Sequence, residues 1–129
     1  MTDIVLDASA LLAMLKAEPG GSKIAETIAE SRISAVNDSE IVSHFIHAGM
    51  PPLAVEAMLS PLPVRMMEAN AALTSAAGRL RAVTSAAGLS IGDRFCLALA
   101  RRDNLPAWTA DRAWQTIAPA AGATVFLIR

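Results

Sequence analysis

The 129-residue sequence has one cysteine, few charged side chains (18%), no lysine in its second half and no long unbroken hydrophobic run. A single cysteine excludes an intrachain disulfide, and Cys96, beside Leu97 and Leu99 in an apolar helical pattern, reads as a core thiol. The longest uncharged stretch, Ala113 to Ile128, is interrupted by Gln115, Thr116, Pro119 and Gly122, so no membrane span is expected. No basic segment precedes the apolar run Ile4-Val5-Leu6, as a secretory leader would require, and the expected location is the cytoplasm. The scarcity of charge is matched by 53% hydrophobic residues, far from a disordered composition. A chain of this length builds one core, so residues 1–129 are expected to form one domain with apolar surface left for a partner.

The net charge of −1 hides an asymmetry. Residues 1–64 carry three basic against eight acidic side chains, and residues 65–129 carry eight against four. The basic excess of the second half is entirely arginine, the side chain whose planar fork best grips phosphate.

Periodicity predicts strands at Asp3 to Leu6, Arg32 to Val36, Val64 to Met67, Leu105 to Thr109 and Thr124 to Ile128. Between them, helices are expected over Ala8 to Ala17, Ser22 to Glu30, a stretch through Ile41 and Ile46 capped by Asn37, Asp38 or Ser39, Leu53 to Leu59, and Ala69 to about Arg81. Ser90-Ile91-Gly92-Asp93 is a capping box that opens a further helix. Such alternation predicts an α/β fold, a parallel sheet covered by helices on both faces, with ligands beyond the carboxyl ends of the strands.

That edge is where four carboxylates fall. Asp7, Glu40 and Asp111 each follow a predicted strand, Glu40 in the first turn of its helix, and Asp93 caps a helix that feeds one. Asp7 and Asp93 sit in otherwise uncharged apolar sequence, where an ionised carboxylate is costly unless paired or hydrogen-bonded. Each also has an ordinary use at a helix N-terminus. Four carboxylates together repel one another and raise the folded-state pKa of at least one, unless a cation compensates; their hard oxygens suit Mg²⁺, with Mn²⁺ as substitute.

The segments Ile4 to Ala13, Ile33-Ser34-Ala35-Val36-Asn37 leading to Glu40, Leu89 to Ala100, and Leu105 to Trp114 resemble, in order and spacing, the four motifs of PIN-domain nucleases. More narrowly, the chain resembles the VapC-type toxins of type II toxin–antitoxin pairs. The resemblance implies a three-layer α/β/α fold, a metal-dependent endoribonuclease acting on RNA, and a cognate antitoxin that covers the site. Asp7, Asp93 and Asp111 are then the principal metal ligands, with Glu40 completing the shell through water or orienting the nucleophile. Ser9 and Thr109 are candidate donors to those carboxylates, and Arg94 and Arg112 candidate contacts to substrate phosphate. Asp38 and Ser39 depart from the apolar residues that family members often carry before the Glu, and Asp38, two positions from Glu40, is expected to face solvent. Met50 to Met67, with four methionines, lies where the family forms its antitoxin groove, and a homodimer is expected.

Other readings are weaker. Glu40, His44 and His47 recur at helical spacing, but a zinc site would need a further ligand, and a partly buried polar stripe explains them better. A phosphoacceptor receiver domain would require adjacent acidic residues after the first strand and a lysine at a later strand end, and neither is present. A catalytically silent PIN-like binding module is the main alternative, although all four acidic positions are filled.

Overall fold

The short apolar runs close into a five-stranded sheet in a computed structural model, which describes residues 3–129. β1 (Ile4–Leu6) leads through α1 (Ala8–Leu15) and α2 (Gly21–Thr27) to β2 (Ser31–Ser34). α3 (Ala35–His47) and α4 (Pro52–Leu59) precede β3 (Arg65–Met67), and α5 (Ala71–Arg79), α6 (Arg81–Thr84) and α7 (Ile91–Asp103) precede β4 (Ala107–Thr109). α8 (Trp114–Ala121) then feeds β5 (Val125–Leu127). All pairings are parallel, in the order β3-β2-β1-β4-β5.

Strand alternation divides the interior into two cores. Ile4 and Leu6 of β1 turn to the face covered by α1, α2 and α3, where Leu11, Ile24, Ile33 and Ile41 are fully buried. Val5, between them, turns to the opposite face and joins Leu73, Leu97, Leu99 and Trp114 under α5, α7 and α8. The expected α/β/α layering is therefore present. Cys96 is fully buried in the second core. Cys96→Ser should fold and lower the unfolding free energy by about 1–3 kcal/mol, the cost of a buried hydroxyl without an assured partner, as read by urea denaturation.

Several elements differ from expectation, among them the helix expected over Ser22 to Glu30, which ends at Thr27 and continues as a 3-10 turn over Ile28–Glu30, and the strand expected over Arg32 to Val36, which ends at Ser34. α3 begins two residues earlier than any of the expected caps, because the Ser34 hydroxyl at the end of β2 accepts the Asn37 N–H at 3.0 Å. Glu40 consequently lies in the second turn, not the first. The helix expected from Ala69 to Arg81 starts at Ala71, capped by the Asn70 side chain, and α6 and a 3-10 turn at Ser85–Ala87 follow it. α8 was not expected at all. Pro119 lies inside it, and Ala113 at its start offers no capping side chain, yet Trp114, Ile117 and Ala121 bury one face.

Candidate functional site

The chain runs outward from β1 through β2 to β3, then returns to place β4 on the other side of β1. The carboxyl ends of β1 and β4 thus flank the point where strand order reverses, the usual crevice of an open parallel sheet. Asp7 follows β1 there and its N–H donates to the Trp108 carbonyl of β4 at 3.0 Å. Although Asp7 is the residue before α1, its side chain makes no capping bond. Instead Oδ2 accepts two hydroxyls, from Ser9 at 2.7 Å and Thr109 at 3.0 Å. Both donors are themselves tied down, Ser9 Oγ accepting the Ala110 N–H and Thr109 Oγ1 the Asp111 N–H. Helix capping therefore does not account for this carboxylate.

Only 4% of Asp7 is exposed, and its pKa is raised to about 6. Burial is the main cause; the Ser9 and Thr109 hydroxyls pull it back down, while the charges of Asp93 and Glu40 push it further up. Crowding of carboxylates, the expected cause, is real but secondary to desolvation. Asp93 forms the expected capping box on α7: Ser90 Oγ accepts its N–H at 3.2 Å, and its Oδ2 accepts the Ser90 N–H at 2.8 Å. Burial raises its pKa against these bonds, and nearby Asp111 adds to the rise.

Glu40 reaches the same region from α3. Its Oε1 accepts from Asn37 Nδ2 at 2.8 Å, and its pKa is raised by partial burial, lowered by that bond and raised again by Asp93. Asn37, fully buried, also donates to the Gly92 carbonyl at 3.0 Å and joins α3 to the start of α7. Its capping side-chain type was visible in the sequence; its contact with Glu40 required the fold. Asp111 is exposed beyond β4, its Oδ1 accepting the Ala113 N–H at 3.0 Å.

The two arginines separate. Arg112 is exposed and, among the described residues, enters no ion pair. Arg94 corrects an expectation. It is only 7% exposed, with Nη1 donating to the Leu89 carbonyl at 3.0 Å and Nε buried without a partner, so it faces the core and not a substrate phosphate. One step along α7 from Asp93 turns the side chain by about 100°.

The charge of Asp93 thus reaches Asp7 and Glu40, that of Glu40 reaches Asp7 and that of Asp111 reaches Asp93, and among the described residues none of the four enters an ion pair. They are not drawn into a closed ligand set: among the described residues no three His, Cys, Asp or Glu side chains lie close enough to hold a metal ion, which also leaves Glu40, His44 and His47 without a zinc arrangement. A second feature lies between α3 and α4, a groove of about 450 Å³ with Val42, Ile46, Val55 and Leu59 in its lining. Asp38 lines it too, half-buried with its pKa raised by desolvation, where exposure to solvent was expected. Among the described residues, no helix is long and apolar enough to cross a membrane.

A PIN domain family model matches residues 4–119. No curated protein sequence matches the chain. Among solved structures, a toxin–antitoxin complex from Klebsiella pneumoniae is 15% identical with a TM-score of 0.74, each chain covered over 98%. VapBC2 from Rickettsia felis, bound to a DNA fragment from its promoter, is 16% identical with a TM-score of 0.72, again over 98% of both chains. Mycobacterium tuberculosis VapC20, described as a sarcin–ricin loop cleaving toxin, is 17% identical with a TM-score of 0.70, over 88% of this chain and 94% of that one. At these identities the solved structures speak for the fold.

Proposed function

Because the chain belongs to the PIN domain family, we propose that it is a divalent-metal-dependent endoribonuclease and the toxin of a type II toxin–antitoxin pair. The observation that carries this reading is Asp7: a buried carboxylate at the reversal point of the sheet, not used as a cap and with no cationic partner among the described residues. An apolar residue would fill that position without the desolvation cost, so a carboxylate there points to a ligand that compensates the charge.

The donors fit Mg²⁺ or Mn²⁺ in kind, being all oxygen and all anionic when ionised. Such donors would suit a Mg²⁺ ion that keeps part of its water shell, as that ion usually does. Asp7, Asp93 and Asp111 are the ligands in this reading, with Glu40 beside them. A divalent cation bound there would supply Lewis-acid stabilisation of the phosphate and a more acidic water. Ser9 and Thr109 hold Asp7 Oδ2 and so fix the rotation of its carboxylate. Asp93 is fixed likewise by Ser90, and Glu40, held at Oε1 by Asn37, keeps Oε2 to complete the shell of the ion through water. Arg112 is the remaining candidate for contact with substrate phosphate.

The partner in this reading is an antitoxin that lies in the α3–α4 groove. Several neighbours of this fold are toxin–antitoxin complexes, and the groove has an apolar lining with Asp38 and Glu56 in its wall, suited to an amphipathic helix carrying basic residues. Val42→Asp should weaken capture of a cognate antitoxin while leaving cleavage unchanged, and unaltered capture would remove the groove from the reading. A homodimer completes it, and sedimentation at micromolar concentration checks that state.

The spread of the carboxylates favours one competing reading, a PIN fold that binds without cutting. Purified protein incubated with RNA separates the two. Cleavage that appears with Mg²⁺ or Mn²⁺ and stops with chelator supports the nuclease, whereas intact RNA under every metal condition supports the silent module, and chelator-resistant cleavage defeats the metal mechanism.

A further inference from the structure

We propose that Asn37 and Gly92 are positioning residues that hold the Glu40 carboxylate against the first turn of α7, beside Asp93, where it serves the bound cation. The inference rests on the metal-dependent reading of this site.

The amide of Asn37 has only one satisfactory orientation. Its Oδ1 accepts the Ser34 hydroxyl at 2.6 Å, while its Nδ2 donates both to Glu40 Oε1 at 2.8 Å and to the Gly92 carbonyl at 3.0 Å. The backbone carbonyl can only accept, as can an ionised carboxylate, so a flipped amide would set three oxygens against one another. Ser34 in turn is anchored at the end of β2 and caps α3. Strand, helix α3 and helix α7 are therefore joined at one buried side chain, and the free end of that chain of bonds is Glu40.

Gly92 completes the clasp by what it lacks. A Cβ built on it would overlap the Glu40 carboxylate itself, the three nearest atoms all belonging to that group. Glu40 thus occupies space that exists only because residue 92 has no side chain. Neither feature is needed for packing alone. An apolar residue at position 40 would cover Gly92 without desolvating a charge, and bringing Glu40 toward Asp93 sets like charges near each other. Holding it there by two devices makes sense where a cation is to be bound.

Calorimetric titration of chelator-stripped protein with Mn²⁺ tests the clasp, with melting temperature measured in parallel without metal. Asn37→Leu removes the donor at similar volume and adds no charge. Gly92→Ala pushes the carboxylate away by a different route, keeps every hydrogen-bonding group and favours the helix. Each should weaken Mn²⁺ affinity about tenfold or more, the usual effect of losing a group that orients a metal ligand. Gly92→Ala should melt within a few degrees of the wild type, so its loss of affinity cannot be assigned to unfolding. In a Glu40→Gln background both substitutions should change affinity less than about twofold, because they act through Glu40.

Wild-type affinity in folded Gly92→Ala overturns the inference and leaves the metal reading standing. Equal losses with and without Glu40 also overturn it, since the two residues would then act on the fold or on Asp93. If the wild type itself binds no Mn²⁺, the metal reading fails and the clasp fails with it.

Discussion

Asp7→Asn and Asp93→Asn should each lower Mn²⁺-dependent RNA cleavage on the order of a hundred- to a thousandfold while leaving the domain folded. That is the scale on which removal of one group acting on transition-state charge is felt. The choice of Asn isolates charge from structure. At position 7 the amide oxygen can still accept the Ser9 and Thr109 hydroxyls, and at position 93 it can still accept the Ser90 N–H, so the bonds that set both side chains survive. What disappears is the negative charge available to a cation. Far-ultraviolet circular dichroism should therefore be unchanged in both variants. Cleavage at the wild-type rate by folded Asp7→Asn would remove the residue from the mechanism. A loss that excess Mn²⁺ fully restores would place its role in binding the ion and not in the chemical step.

The parts of this site that were legible in the sequence are those with short-range signatures. The Ser90–Asp93 capping box identifies itself within four residues, and it formed as expected. Asp7 is conspicuous because its neighbours are apolar, and the strand before it was equally plain. What the sequence could not resolve depended on tertiary choice. Ser34, Asn37, Asp38 and Ser39 are all good caps, and Ser34 prevails because it stands at the strand end, which frees Asn37 to turn inward. Arg94 is next to Asp93 in the chain but is turned about 100° around the helix, which buries it against the Leu89 carbonyl. Asp38 proved half-buried because α4 packs beside it and builds the groove. For α8 a signal is present, Trp114, Ile117 and Ala121 being spaced at three and seven residues, but it is a weak one, with Pro119 inside the segment and no capping side chain at its start. Pro119 cannot donate the intrahelical bond to the Gln115 carbonyl, and the helix forms because the burial of Trp114, Ile117 and Ala121 outweighs that one lost bond.

Without metal, the protein should be most stable in mild acid and weaken as pH rises through about 6. The cause is Asp7, whose folded-state pKa is raised from 3.8 to about 6, mainly by burial. A carboxylate raised on folding binds its proton more tightly in the folded state. Its favourable contribution is therefore complete below the unfolded pKa, near 4, and is lost as pH climbs to the folded value. A tenfold change in proton affinity is about 1.4 kcal/mol, so Asp7 alone makes the metal-free fold about 3 kcal/mol weaker at pH 7 than in acid. Glu40 and Asp93, both raised, act in the same direction. Asp103 acts oppositely, its pKa lowered, against the cost of burial, by hydrogen bonds and charge from Arg102 and Arg32. Its contribution is present above the unfolded value and fades in stronger acid, which sets the lower bound of the window. At neutral pH, Mn²⁺ at ten times its dissociation constant should restore roughly 1.4 kcal/mol, a rise of several degrees in melting temperature. Asp7→Asn should melt higher than the wild type at pH 7 without metal, because an amide has no charge to desolvate. Its melting temperature should change much less between pH 4 and 7, and its response to Mn²⁺ should shrink. Scanning calorimetry of both proteins at pH 4, 5.5 and 7, with and without Mn²⁺, measures all three effects. Parallel pH profiles would show that Asp7 does not titrate in this range, and equal Mn²⁺ shifts would show that the ion is held without it.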